Sequence, residues 1–169
     1  MDEGAAAVPP DLEVLTGTER EVLEGFLELS RGVVARKLAG LGELDARLSL
    51  VPSRTTLLGL VKHLASVERE WFGMVLGGRS PGQLGIPADD GWGPGPHDTV
   101  AGVLKDYRRA CAESRAVAAR FGLDETVVHP QLGSVSVRWI HVHMIEETAR
   151  HAGHADILRE QTDGSTGVD

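Results

Sequence analysis

The segment RWIHVHMIEETARHAGHADILRE, residues 138–160, concentrates side chains able to bind metals or move protons. At the helical period His143, Glu147 and His151 stand at steps of four, nearly above one another, and His154 follows one turn later. The apolar stripe Ile140, Met144, Thr148, Ala155 and Leu158 adjoins that column, so Glu147 and His151 face the edge of a core, where an isolated carboxylate is costly. A second inward histidine, His63, sits among Leu60, Leu64 and Val67, where the binary pattern calls for an apolar residue. His63, Glu147 and His151 together can offer three nitrogen and oxygen ligands to one divalent cation, with a place left for water or substrate. Zinc, nickel, iron and manganese all suit such a set, and ligand type does not choose among them. The other reading is a hydrogen-bonded core histidine beside an ordinary i, i+4 pair; the residues leave both open.

The remaining reactive types are weaker. His143 and His154 are spare ligands, proton shuttles or solvated groups, and His141 lies off their column. Cys111 falls on an apolar helical face and reads as a small buried hydrophobe. Trp71 and Trp139 read as packing residues. The run Gly91-Trp92-Gly93-Pro94-Gly95-Pro96 has neither a preceding strand nor a following Lys-Ser/Thr, so it does not cradle phosphate, and there is no Gly-x-Ser-x-Gly elbow.

Positioning these groups requires helices. Thr18 with Glu21 forms a capping box ahead of Val22, Leu23, Phe26, Leu27, Val33, Val34 and Leu38, predicting a first helix over about residues 19–41. Ser53 or Thr55 opens a second, carrying Leu57, Leu60, Val61, Leu64, Val67, Trp71 and Val75 until Gly77-Gly78 stops it. Asp98 or Thr99 caps a third that ends at Gly122, and Ser136 begins a fourth running to about residue 160. Residues 126–129 and 134–137 are placed to pair as a small hairpin. The Gly- and Pro-rich connection over residues 77–97 forbids a regular element; Ile86 and Trp92 anchor it, and its length permits a crossing of the bundle or closure over a pocket. The expectation is an all-α four-helix bundle over residues 18–162, with a flexible lead-in at 1–17 and a polar tail at 163–169.

Composition narrows the partners. The 169 residues carry 17 Lys+Arg against 25 Asp+Glu, a net charge of −8, which disfavours nucleic acid and anionic membranes. With 41% hydrophobic residues the chain has material for a core. One cysteine rules out an intramolecular disulfide, the N-terminus is acidic where a secretory signal is basic, and no apolar run spans a bilayer, so a cytoplasmic location is expected.

The segments TTLLGLVKHLASVEREWF, with His63, and RWIHVHMIEETARHAGHADILRE, with Glu147 and His151, followed by DILREQTDGSTG, resemble the signature helices of the DinB-like superfamily, mini-circle protein branch. The likeness runs over about residues 19–167. It implies a four-helix bundle in up-down-down-up order, with the long connection crossing between helices two and three. It also implies a divalent metal, zinc before nickel or iron. Most DinB-like proteins place a His-x-x-x-His on the final helix. This chain has Glu147 at the first of those positions, as in the similar mycothiol-dependent maleylpyruvate isomerases, whose His, Glu, His set maps onto His63, Glu147 and His151. Relatives with assigned chemistry use mycothiol or bacillithiol. The resemblance therefore implies a metal-dependent thiol S-transferase acting on a small electrophile, with the cation activating a mycothiol-type thiol and His143 or His154 moving protons. Isomerase activity is not expected, because the isomerases carry a further C-terminal domain. The alternatives are a hydrolase using metal-bound water, and a non-catalytic, metal-stabilised bundle that binds a small molecule, with a homodimer as the expected assembly.

Overall fold

The structure is a computed structural model that describes residues 8–86 and 92–167. Thr18 caps the first long helix: its hydroxyl accepts from the Glu21 N–H while the Glu21 carboxylate accepts from the Thr18 N–H, so two otherwise orphaned donors are met. This helix, α2, spans Glu19–Leu38 and ends short of residue 41 because Ala39 is extended and Gly40 turns left-handed at φ 78°. Ahead of it, Pro10–Glu13 form one turn, α1, whose Pro10 carbonyl approaches α2 so closely that a Cβ at Gly25 would lie 3.0 Å away.

Helix α3, Leu57–Glu68, starts at Thr56, one residue beyond the expected caps. It does not continue as an α-helix to Gly77. Residues Arg69–Leu76 form a π-helix instead, closed by the Gly77 N–H donating to the Phe72 carbonyl at 2.9 Å. The wider turn buries Trp71, Phe72 and Leu76 together, and Gly73 makes room for Leu84, whose Cδ2 would stand 2.7 Å from a Cβ there.

Leu84 belongs to a helix the sequence reading excluded. Pro81–Leu84, α4, is one turn held by a Ser80–Gln83 capping box and ended by left-handed Gly85, so local capping outweighs the surrounding Gly and Pro. Leu84 is buried and Ile86 only half-buried, which makes Leu84 an anchor of this connection. Residues 87–91, which any closure of residues 77–97 over a pocket would involve, lie outside the described residues.

Helix α5, Val100–Ala118, is capped by Thr99 and stops four residues before Gly122. Strands β1 (Thr126–His129) and β2 (Gly133–Ser136) pair antiparallel with Thr126 opposite Ser136 and His129 opposite Gly133. Ser136 then caps α6, Val137–Asp163, which runs three residues past the expected end, to left-handed Gly164. The described residues are thus mainly helical with one small sheet, as an all-α class requires, and no described helix is long and apolar enough to cross a membrane.

Helix α2 lies along α6, and α3 along α5. Two apolar clusters fill the interior. One holds Val34, Leu38, Leu58, Leu60, Leu64 and Tyr107; the other holds Leu27, Phe72, Ile140 and Met144. Each fully buried aliphatic side chain contributes about 1.5–3 kcal/mol relative to exposure. Where one cluster gives way to the other along α2 and α3, Arg31 meets Glu68, with Nε–Oε1 2.7 Å and NH2–Oε2 2.6 Å. Burial pushes the Arg31 pKa down, but the adjoining Glu68 carboxylate outweighs that effect and holds the guanidinium charged. Removing one partner strands the other without water, so Glu68→Ala is expected to destabilise the fold by about 3–5 kcal/mol, while the double variant Arg31→Met/Glu68→Leu costs far less. Urea unfolding at pH 7 checks both.

His141 is 1% exposed, its Nδ1 2.9 Å from the Val137 carbonyl and its ring edge-on to Phe72. Burial pushes its pKa below the ordinary 6.5, and the Val137 hydrogen bond offsets only part of that. Just below pH 6.5 the unfolded chain therefore binds more protons than the folded one. The stability linked to His141 is complete above the unfolded pKa and is lost as pH falls toward the folded one. His141→Gln is expected to flatten the fall in unfolding free energy just below pH 6.5, measured by denaturant titration at a series of pH values.

Candidate metal centre

Helix α3 crosses α6 so that His63 faces Glu147 and His151. The apolar residues around His63 seat α3 in the core: Leu60 and Leu64 are essentially inaccessible, and the imidazole between them is carried to the α6 side. On α6, Ile140, Met144, Thr148, Ala155 and Leu158 bury the neighbouring stripe, as their spacing requires, and hold Glu147 and His151 at its edge.

Three donor atoms converge there. His151 Nε2 is 3.0 Å and His63 Nε2 3.6 Å from Glu147 Oε1, and the three residues offer ligand atoms all within 4.8 Å of one another. Tetrahedral zinc with bonds near 2.0–2.1 Å separates its ligand atoms by roughly 3.3 Å, so the two nitrogen–oxygen spacings suit a shared cation. The side chains are 17%, 15% and 7% exposed for His63, Glu147 and His151, enough shielding to strengthen a metal bond while leaving an approach. The other Glu147 oxygen is 3.2 Å from Arg150 NH1, which holds the carboxylate plane. Burial pushes the His151 pKa below 6.5 against the pull of Glu147, keeping the imidazole in the neutral form that ligates.

The expected column splits. His154 remains beside the centre, its Nδ1 3.3 Å from His151 Nδ1, an arrangement that orients the His151 ring from its far side. His143 does not join. Its ring packs against Trp71 at 4.4 Å and stacks on Trp139 at 5.1 Å and 6°, while the hairpin lays His129 on Trp71. His141 is buried elsewhere. Cys111 is buried, and desolvation, followed by the nearby Glu68 carboxylate, pushes its pKa up to about 12, so it is not a nucleophile.

Sequence reasoning missed the part played by Trp92. Its indole stacks on His63 with ring centroids 4.1 Å apart and planes at 16°, and meets His151 edge-on at 5.4 Å. Gly59 permits this: a Cβ there would lie 2.4 Å from the Trp92 carbonyl oxygen. The following residues are tied down by Lys62, which reaches Asp98 at 2.9 Å, and by Arg47, which donates to the Gly95 carbonyl at 3.1 Å. The one available signal was a lone tryptophan among glycines and prolines. Beside the centre, Val51, Thr55, Trp92, His151, His154 and Ile157 border a cavity of about 330 Å³.

A family model described as mycothiol-S-transferase matches residues 22–164. No curated protein matches the chain.

Untagged protein is expected to hold close to one divalent transition metal per chain after reconstitution with zinc, and His63→Ala and His151→Ala are each expected to lose most of it while keeping their helical circular dichroism. Elemental analysis after gel filtration checks this.

Proposed function

The chain belongs to the mycothiol-S-transferase family, within the DinB-like superfamily, and from that premise we propose that it transfers the thiol of mycothiol, or of a closely similar low-molecular-weight thiol, to a small electrophile with the help of a divalent cation, zinc in the first place. The convergence of His63 Nε2, Glu147 Oε1 and His151 Nε2 carries this reading. When bound, such a cation draws the proton off a coordinated thiol near neutral pH and so supplies a thiolate nucleophile.

The chain's own residues do the rest. Glu147 contributes the one negative ligand, and Arg150 keeps it from rotating. Trp92 fixes the plane of His63 by stacking on it. His154, exposed and 3.3 Å from His151, takes up the released proton and passes it to solvent. What supports His154 over His143 in that role is its place on the cavity wall, while His143 is held between two indoles. The substrate is a small molecule. The long helices are assigned the up-down-down-up order, a reading supported by the pairing of α2 with α6 and of α3 with α5. A single buried thiol suits a reducing cytoplasm.

Metal-loaded protein with mycothiol and an alkyl halide is expected to consume thiol and halide in equal amounts. Glu147→Ala is expected to abolish turnover, and His154→Ala to lower kcat about 10²-fold with an altered pH profile. Mass spectrometry of the S-conjugate and a free-thiol assay provide the check. Substrate consumption at an unchanged rate without thiol would replace this reading with a hydrolase, and ligand binding without turnover would replace it with a binding protein.

A further inference from the structure

The cavity beside the metal centre has a chemistry of its own. Val51, Ile157, Leu158 and the Trp92 indole supply its walls, and none of the described residues lining it is an Asp, Glu, Lys or Arg. Its two hydroxyls, those of Ser53 and Thr55, lie 2.9 Å apart and hydrogen-bond each other, one as donor and one as acceptor. Ile157 is 56% exposed at the rim, an uncovered aliphatic surface beside a cavity whose volume, about 330 Å³, is at the small end for organic ligands. Against the walls away from His151 and His154, a charged group loses water and meets no Asp, Glu, Lys or Arg among the described lining residues, whereas an apolar group covers Ile157 and the indole.

We propose that this cavity holds the organic portion of the electrophile and restricts it to neutral, apolar groups of about the size of a benzyl ring, with Trp92 as the specificity-determining wall. The inference rests on the thiol-transfer reading for the identity of the reaction, but the selectivity belongs to the cavity. In the transfer the thiolate sulfur forms a bond to the electrophilic carbon as the carbon–halogen bond breaks, the halide leaves with the bonding pair, and the thiol proton goes to water by way of His154. Trp92 both stacks on His63 and lines the cavity, so an apolar ring packed against that wall brings the reacting carbon next to the ligand set.

Two measurements on the metal-loaded full chain test this. In the first, with no thiol present, benzyl alcohol, 4-(hydroxymethyl)benzoate and benzylammonium are titrated and their dissociation constants read by ligand-observed NMR. The neutral probe is expected to bind at least about tenfold more tightly than either ion, and Ile157→Asp to weaken it about tenfold with metal content unchanged. In the second, kcat/KM with mycothiol is compared for benzyl bromide and 4-(bromomethyl)benzoate, whose reacting carbons are alike. The neutral electrophile is expected to be preferred by more than its advantage in free solution; Trp92→Phe keeps that preference and Trp92→Ala reduces it, judged on variants that retain metal. Equal binding of neutral and charged probes, or thiol-dependent turnover at the solution ratio, overturns the proposed selectivity and leaves the transferase reading in place. Absence of any thiol-dependent turnover overturns the transferase reading, while the binding series still decides the selectivity of the cavity.

Discussion

Two carboxylates are drawn out of water between the long helices, and each must find compensation where it lies. Glu68 is 1% exposed and meets Arg31 through a two-pronged ion pair, with further guanidinium contact to Glu28 at 2.6 Å and to the Phe72 ring. Glu147 has no such guanidinium along its buried side. Its inner oxygen faces two imidazole nitrogens instead, and Arg150 reaches only the outer one. A buried carboxylate met by a fixed cationic side chain is a structural solution. One met by two imidazole nitrogens is a donor set that could hold a metal ion. The same helix, α3, carries both ends of this contrast, with His63 and Glu68 less than two turns apart.

That proximity explains the demands on α3. Its early residues bury Leu58, Leu60 and Leu64, and its continuation widens into a π-helix over Arg69–Leu76. Gly59 and Gly73 are the two points where another segment comes closer than a side chain would allow, Trp92 at one and Leu84 at the other. Both visiting residues belong to the connection leading to α5, which is thus seated once on α3 and once on its π-helical continuation. The first seat sets the indole against His63, and the candidate metal centre is thereby bordered on one side by a residue from a loop rather than from a helix. The hairpin works elsewhere, where His129 stacks on Trp71, His143 stacks on Trp139, and the two pairs meet at a tilt of 56°.

Much of this is legible without coordinates. Capping residues locate the helix starts because the first N–H groups need acceptors, and Thr18, Thr99 and Ser136 each supply one as expected. Helical periodicity places His63, Glu147 and His151 on inward faces because residues four apart share a side. The hairpin boundaries were readable to within a residue for the same local reasons. The ends of α2 and α5 were not, because periodicity runs past a helix end, and the one-turn helix α4 was hidden among Gly and Pro although a local Ser80–Gln83 capping box holds it.

What the sequence by itself determined is therefore the local content: an all-α chain, its helix starts, and the chemical types at the inward positions of the second and last long helices. The tertiary structure decided which of those types meet. It brought His63 across to Glu147 and His151, kept His154 at their side, and removed His143 into a cluster with Trp71 and Trp139. It also set Trp92 over His63, which no periodicity encodes, because the contact depends on a glycine thirty-three residues earlier leaving room for a carbonyl. Spacing along one helix is a local property of the backbone, whereas the distance between side chains on different segments follows from how whole surfaces pack.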